Sequence, residues 1–129
     1  MAIDIPNWAD KTVLIAEDEI LGRKYLEKVL KPSQAKLIFA KNGLEAIEKF
    51  NEFPSIDLVL MDLKMPLKSG YEAAAEIKTI NPHMPIIAQT AFAFHHDKEK
   101  ALESGCDEYI AKPITRADLY SKMIKYLGI

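Results

Sequence analysis

Five side chains in this sequence could do chemistry together if the fold collected them: Glu17, Asp18, Asp62, Thr90 and Lys112. Each stands at or just after a short apolar run: "TVLIA" (12–16), "DLVLM" (57–61), "PIIAQT" (85–90) and "EYIA" (108–111). Three carboxylates make an oxygen-only ligand set. Such a set suits a hard divalent cation, Mg2+ or Mn2+, held by few carboxylates with waters and a phosphate. A hydroxyl at Thr90 and an ammonium at Lys112 add a hydrogen-bond donor and a positive charge for an anionic group. Asp62, opposite the acidic pair, is then a competent carboxylate nucleophile toward a phosphoryl group. Metal and lysine would neutralise the charge that develops in an in-line transfer.

Residues this far apart meet only in a fold that gathers strand ends. The apolar runs, with "KLIFA" (36–40) as a fifth, alternate with helix-length amphipathic segments. Five strands alternating with five helices predict an α/β fold with a parallel sheet covered on both faces. The runs at 12–16, 57–61 and 85–90 are nearly continuously apolar and suit central strands, whereas 36–40 and 108–111 suit edges. The doubly wound, flavodoxin-like (βα)5 order 2-1-3-4-5 satisfies this pattern. It places a ligand at the carboxyl ends of the first and third strands, where the strand order reverses. The first helix, Ile20 to Leu30, is expected to turn Leu21, Tyr25, Leu26, Val29 and Leu30 to one face and to end before Pro32. "NGLE", "SGYE" and "TRAD" are helix caps, each with an acid three residues on. The helix after Thr90, about His95 to Ser104, has only Ala101 and Leu102 as clear apolar anchors and is expected to be the loosest.

The 129 residues suffice for one domain with a real core, read as 11–129 behind a lead-in or linker remnant at 1–10. Lysine plus arginine count 17 against 19 acids, a net charge of −2, so no overall pull toward nucleic acid or anionic membrane is expected. Neither direct nucleic-acid contact nor membrane insertion is predicted. Cys106 is the one cysteine and has no internal disulfide partner. With no targeting segment or long apolar run, a cytoplasmic location is expected, including the cytoplasmic part of a membrane-bound protein.

With these residues in place, the chain from about Lys11 to Leu127 resembles a response-regulator receiver domain of two-component signalling. Glu17 and Asp18 look like that family's metal-binding pair. "MDLKMPLKSG" (61–70) looks like its phospho-acceptor segment, with Asp62 the acceptor and Pro66 and Gly70 shaping the loop. Thr90 and "GCDEYIAKP" (105–113), with Lys112, match the remaining site positions. The resemblance implies a cis Lys112–Pro113 peptide, a metal ligand from the Lys64 backbone carbonyl, and phosphoryl donation by a histidine kinase or a histidine phosphotransfer protein. It further implies that Thr90 is drawn toward the phosphoryl group while Tyr109 turns inward. The reporting face would be the fourth helix, fifth strand and fifth helix, with a phosphorylation-dependent homodimer as one form. The style of the motifs resembles receivers at the C-terminus of hybrid sensor histidine kinases.

Lys64 and Phe92, two after Thr90, are long or bulky and are expected to flank the site and slow loss of the phosphoryl group. His95 and His96, adjacent at an exposed helix start, read as solvated rather than catalytic. The enzyme alternative is a small Mg2+-dependent phosphatase of haloacid dehalogenase type. That family places a second Asp two residues after its nucleophile, where this chain has Lys64. A flavodoxin-like cofactor site is disfavoured because the loop after the first strand is acidic, and no P-loop is present.

Overall fold

The alternation of apolar and amphipathic segments resolves into β1 (Thr12–Ala16), α1 (Ile20–Leu30), β2 (Lys36–Ala40), α2 (Gly43–Glu52), β3 (Leu58–Asp62), α3 (Gly70–Ile80), β4 (Ile86–Thr90), α4 (His95–Glu103), β5 (Glu108–Ala111) and α5 (Arg116–Leu127). The structure is a computed structural model and describes residues 4–91 and 95–129, those at 95–97 by backbone alone. The strands form one sheet in the order β2-β1-β3-β4-β5, and every neighbouring pair is parallel. β1, β3 and β4 are buried at every residue, while β2 and β5 are partly exposed. Helices on both faces cover the central strands, which is why those runs carry no polar alternation.

Period-two alternation divides the core. Val13, Ile15, Leu58, Leu60, Ile87 and Ile110 pack with α1 and α5. Leu14, Ala16, Val59, Met61, Ile86 and Ala88 pack on the opposite face with α2 and α3. The registers pair Ala16 with Met61, Asp62 with Gln89 and Thr90 with Ala111, so the strands finish close to level.

Two strand boundaries differ from those read in the sequence. The third strand is Leu58–Asp62 rather than 57–61. Asp57 instead lies ahead of it, and its Oδ2 accepts from the Thr12 amide at 2.8 Å. The fourth begins at Ile86, because Pro85 has no N–H to give the ladder. The caps form as read. Asn42 Oδ1 accepts from the Glu45 amide at 2.8 Å, Ser69 and Glu72 make a capping box, and Thr115 Oγ1 accepts from the Asp118 amide.

The face read for α1 holds only in its second half. Leu26, Val29 and Leu30 are buried, but Leu21 is 75% exposed and Tyr25 44%. Leu21 and Tyr25 instead border a groove beside Pro113 and Ile114, with the Tyr25 hydroxyl donating to the Ile114 carbonyl. On α4, Ala101 is buried but Leu102 is exposed, so Ala101 alone anchors the helix among its described apolar side chains. Lys100 adds a contact over the Tyr71 ring of α3, 4.4 Å from its centroid. The helix ends at Glu103, and Gly105, at φ 105°, turns the chain toward β5.

The lead-in also contributes to the core. Trp8 is 1% exposed and stacks on Tyr120 at 5.5 Å between ring centroids. Its indole N–H donates to the Gly128 carbonyl at 2.8 Å, and its amide donates to the Ser33 carbonyl at 2.7 Å. A Trp is rarely buried with its N–H unpaired, and both ends of the chain supply what this one needs.

Burial pushes the Cys106 thiol up to about 11. Alkylation by iodoacetamide at pH 8 is therefore expected to track global unfolding rather than exposure of a native thiol, and mass spectrometry across a urea series checks this. The raised value favours the native state below pH 9, and that contribution is lost as pH rises from 9 through about 11, where the unfolded thiol ionises first.

Candidate functional site

At the end of β1 the chain keeps its extended course, with the Glu17 amide donating to the Ala40 carbonyl at 3.0 Å. That course sends the Glu17 side chain inward, where it is 1% exposed. Asp62, the last residue of β3, is 5% exposed. Lys112, just past β5, spans the two, with Nζ donating to Glu17 Oε1 at 2.8 Å and to Asp62 Oδ2 at 3.2 Å. The Lys64 amide donates to Asp62 Oδ1 at 3.0 Å. Asp18 is exposed, yet one carboxylate oxygen from each of Glu17, Asp18 and Asp62 lies within 4.8 Å of the others. Thr90 ends β4, 2% exposed, and its carbonyl accepts from the Lys112 amide at 2.7 Å.

The acids outnumber the cation. Burial raises the Glu17 pKa, and its hydrogen bond and charge repulsion with Asp62 raise it further; Lys112 only partly offsets them. Burial alone would lower the Lys112 pKa, but its hydrogen bond to Glu17 and the charge of Asp62 outweigh that, so the net shift is upward. An oxygen-rich cluster with uncompensated negative charge and one solvent-facing member fits a hard cation that retains waters, so the donor set matches Mg2+.

The Asp62-to-Gly70 segment is held by its backbone. Gly70 donates its amide to the Leu63 carbonyl at 3.0 Å, and the Pro66 carbonyl accepts from Lys68 at 2.8 Å across Leu67, which has φ 69°. A Cβ on Gly70 would stand 2.0 Å from the Asp62 carbonyl oxygen. The Lys112–Pro113 peptide is cis. Tyr109 is half-buried on β5, in register with Ala88. The Lys64 side chain is exposed, while Phe92, its expected companion beside the site, lies outside the described residues, as do the His95 and His96 side chains.

Three further residues shape the site. Gly22, inside α1, leaves room for Glu17: a Cβ there would fall 2.6 Å from Glu17 Oε1. The signal in the sequence was a glycine within a helix, a choice costing about 1 kcal/mol relative to Ala. Arg23 Nη1 donates to the Glu17 carbonyl at 2.7 Å. Gln89, beside Thr90, is 0% exposed, and neither its Oε1 nor its Nε2 finds a hydrogen-bond partner among the described residues.

Removing Lys112 would leave Glu17 and Asp62 facing each other without a counter-charge. Lys112→Ala is expected to cost about 2 kcal/mol without metal, below the range for a fully buried pair because the Lys112 side chain is 29% exposed. Added Mg2+ should restore more stability to the variant than to the native chain, which thermal melts with and without Mg2+ measure.

A family model described as "Response regulator receiver domain" matches residues 13–124. Two relatives illustrate the range of similar proteins. One is hybrid signal transduction histidine kinase I of Dictyostelium discoideum, 39% identical over 89% of this chain but only 7% of the kinase's length. The other is the polar-differentiation response regulator DivK of Brucella anthropi, 38% identical over 92% of this chain and 97% of DivK. Among solved structures, the chain is similar to the receiver domain of Saccharomyces cerevisiae Ssk1, crystallised with the histidine phosphotransfer protein Ypd1. The TM-score is 0.86 and the identity 31%, covering 97% of this chain and 92% of that one. It is also similar to the receiver domain of a Pseudomonas aeruginosa sensor histidine kinase, which has magnesium coordinated in its active-site cleft. There the TM-score is 0.85 and the identity 30%, covering 92% of this chain and 98% of that one.

Proposed function

The chain belongs to the response regulator receiver family, a family of signalling domains, and on that premise we propose that Asp62 takes a phosphoryl group from a phosphohistidine on a partner protein. One observation carries the reading: Lys112 spans Glu17 and Asp62 while Asp18 closes the oxygen cluster at 4.8 Å. An Asp62 carboxylate oxygen forms the new bond to phosphorus as the bond from phosphorus to the donor imidazole nitrogen breaks, and the electron pair returns to that nitrogen. Glu17, Asp18, Asp62 and the Lys64 carbonyl would hold Mg2+, which would supply charge neutralisation for the phosphoryl oxygens when bound. Lys112, already against Asp62 Oδ2, follows the charge onto the transferred group, and the Thr90 hydroxyl donates to a phosphoryl oxygen.

The domain turns over no substrate beyond accepting and losing its own phosphoryl group. A haloacid dehalogenase reading fares worse, since the position of its general acid holds the exposed Lys64. A histidine kinase or a phosphotransfer protein is the fitting donor, as Ypd1 is the crystallised partner of the yeast receiver. Among the described residues no helix is long and apolar enough to cross a membrane. The thin anchoring of α4 by Ala101 supports α4, β5 and α5 as the reporting face, with Tyr109 turning inward as Thr90 moves. Amide exchange there that ignores phosphorylation would refute that part, and a sedimentation profile unchanged by phosphorylation would refute dimerisation.

Acetyl phosphate with Mg2+ tests the chemistry. One phosphoryl adduct, sensitive to hydroxylamine and blocked by EDTA, is expected in intact-mass spectra. No adduct with Mg2+ present would overturn the reading.

A further inference from the structure

We propose that Arg23 is the positioning residue that places the Asp18 carboxylate for a small octahedral cation, and that it thereby sets a preference for Mg2+ over Ca2+ at the acidic cluster. The inference rests on the reading of Glu17, Asp18 and Asp62 as a metal site. Those three acids are not held alike. Glu17 is buried, with Oε1 accepting from Lys112 Nζ at 2.8 Å and Oε2 from the Glu19 amide at 3.4 Å. Asp62 accepts from Lys112 Nζ at 3.2 Å and from the Lys64 amide at 3.0 Å. Asp18 is exposed, and its carboxylate accepts no hydrogen bond among the described residues. Its direction therefore follows from its backbone, which decides the rotamers open to it.

Arg23 holds that backbone. Its Nη1 donates at 2.7 Å to the Glu17 carbonyl, the oxygen of the peptide that joins the two acids. Asp18 and Glu19 follow that carbonyl, and Glu27 stands four residues beyond Arg23 on α1. The guanidinium nevertheless makes no ion pair among the described residues and aims its donor at a neutral oxygen. A carboxylate is the stronger acceptor, so electrostatic attraction alone does not account for this choice. Other supports for the stretch are few. α1 begins at Glu19 without a side-chain cap, whereas Asn42, Ser69 and Thr115 cap α2, α3 and α5. In its first turn Ile20 and Leu21 are 59% and 75% exposed, and Gly22 is a poor helix former.

Two effects of the guanidinium oppose each other, and their signs separate them. Its positive charge, by Coulomb attraction and repulsion alone, would weaken every cation bound by the acids. Its grip on the peptide acts the other way. Mg2+ demands near-ideal octahedral geometry at about 2.1 Å, whereas Ca2+ accepts variable geometry at about 2.3–2.6 Å. A displaced Asp18 therefore penalises Mg2+ more than Ca2+.

Mg2+ and Ca2+ are titrated separately into the isotope-labelled native chain, Arg23→Met and Arg23→Lys, following the Leu63 and Gly70 amide resonances, with thermal melts to show that each variant is folded. Arg23→Met keeps an aliphatic stem and loses both charge and donor. It should bind Mg2+ about tenfold more weakly, the lower end of what partners that orient metal ligands supply, and Ca2+ no more than about threefold more weakly. Arg23→Lys should recover most of the Mg2+ loss, because the contact is one N–H to one carbonyl and does not need the guanidinium fork. Three results would each overturn the proposal: Mg2+ binding to Arg23→Met as tight as in the native chain or tighter, equal factors lost for Mg2+ and Ca2+, or Arg23→Lys as weak as Arg23→Met. A native chain that binds no Mg2+ would instead sink the metal reading itself, and this inference with it.

Discussion

Asp62→Asn yields no phosphoryl adduct with acetyl phosphate and Mg2+ under conditions that modify the native chain once, as read by intact-mass spectrometry. The substitution keeps the shape of the side chain and can keep the Lys64 amide bond to Oδ1. It removes the nucleophile, because an amide oxygen shares its lone pair into the C–N bond and does not attack phosphorus as a carboxylate does. It also replaces one of the three carboxylates that converge within 4.8 Å by a neutral amide, so Mg2+ binding weakens in the same variant. Stability should not suffer. Lys112 retains Glu17 at 2.8 Å, and one of two close negative charges is gone. A melt at or above the native temperature with no adduct separates lost chemistry from lost fold. An adduct that persists in Asp62→Asn would move the acceptor elsewhere.

Gly70→Ala is expected to cost about 3 kcal/mol or more, the upper end of overpacking penalties, and to reduce adduct formation in whatever remains folded. The added methyl would meet the Asp62 carbonyl oxygen at 2.0 Å, the Leu63 Cα at 2.6 Å and the Asp62 carbonyl carbon at 2.8 Å. All three are backbone atoms and none can rotate away, so the start of α3 must lift from the end of β3. The displaced backbone is that of the acceptor itself. Gly128→Ala is the control: nothing lies within 4 Å of its added methyl, and only its own positive φ of 78° is strained. It should lose about 1–3 kcal/mol and form the adduct as the native chain does. Urea denaturation and intact-mass spectra on both variants give the comparison.

Element type and order were legible because the apolar runs are either continuous or confined to edges, and the caps at Asn42, Ser69 and Thr115 mark helix starts within a residue. Boundaries were less legible where side chains changed roles. Asp57 reads as the first residue of a strand, but its carboxylate serves the Thr12 amide instead. Leu21 and Tyr25 continue an apolar stripe by spacing, yet both are exposed and the Tyr25 hydroxyl serves the Ile114 carbonyl instead. Trp8 carries no local signal of burial, since its stacking partner Tyr120 and its acceptor Gly128 lie at the other end of the chain.

By itself the sequence determined the α/β alternation, the central and edge strands, and the residue types Glu17, Asp18, Asp62, Thr90 and Lys112 at strand ends. These are properties of short segments, readable from local periodicity. Only the tertiary structure decided what those residues do to one another. The bridging of Glu17 and Asp62 by Lys112, the space that Gly22 yields to Glu17, and the unpaired Gln89 behind them depend on distances between segments. Such distances are set by parallel register and helix placement, which no single stretch of chain encodes.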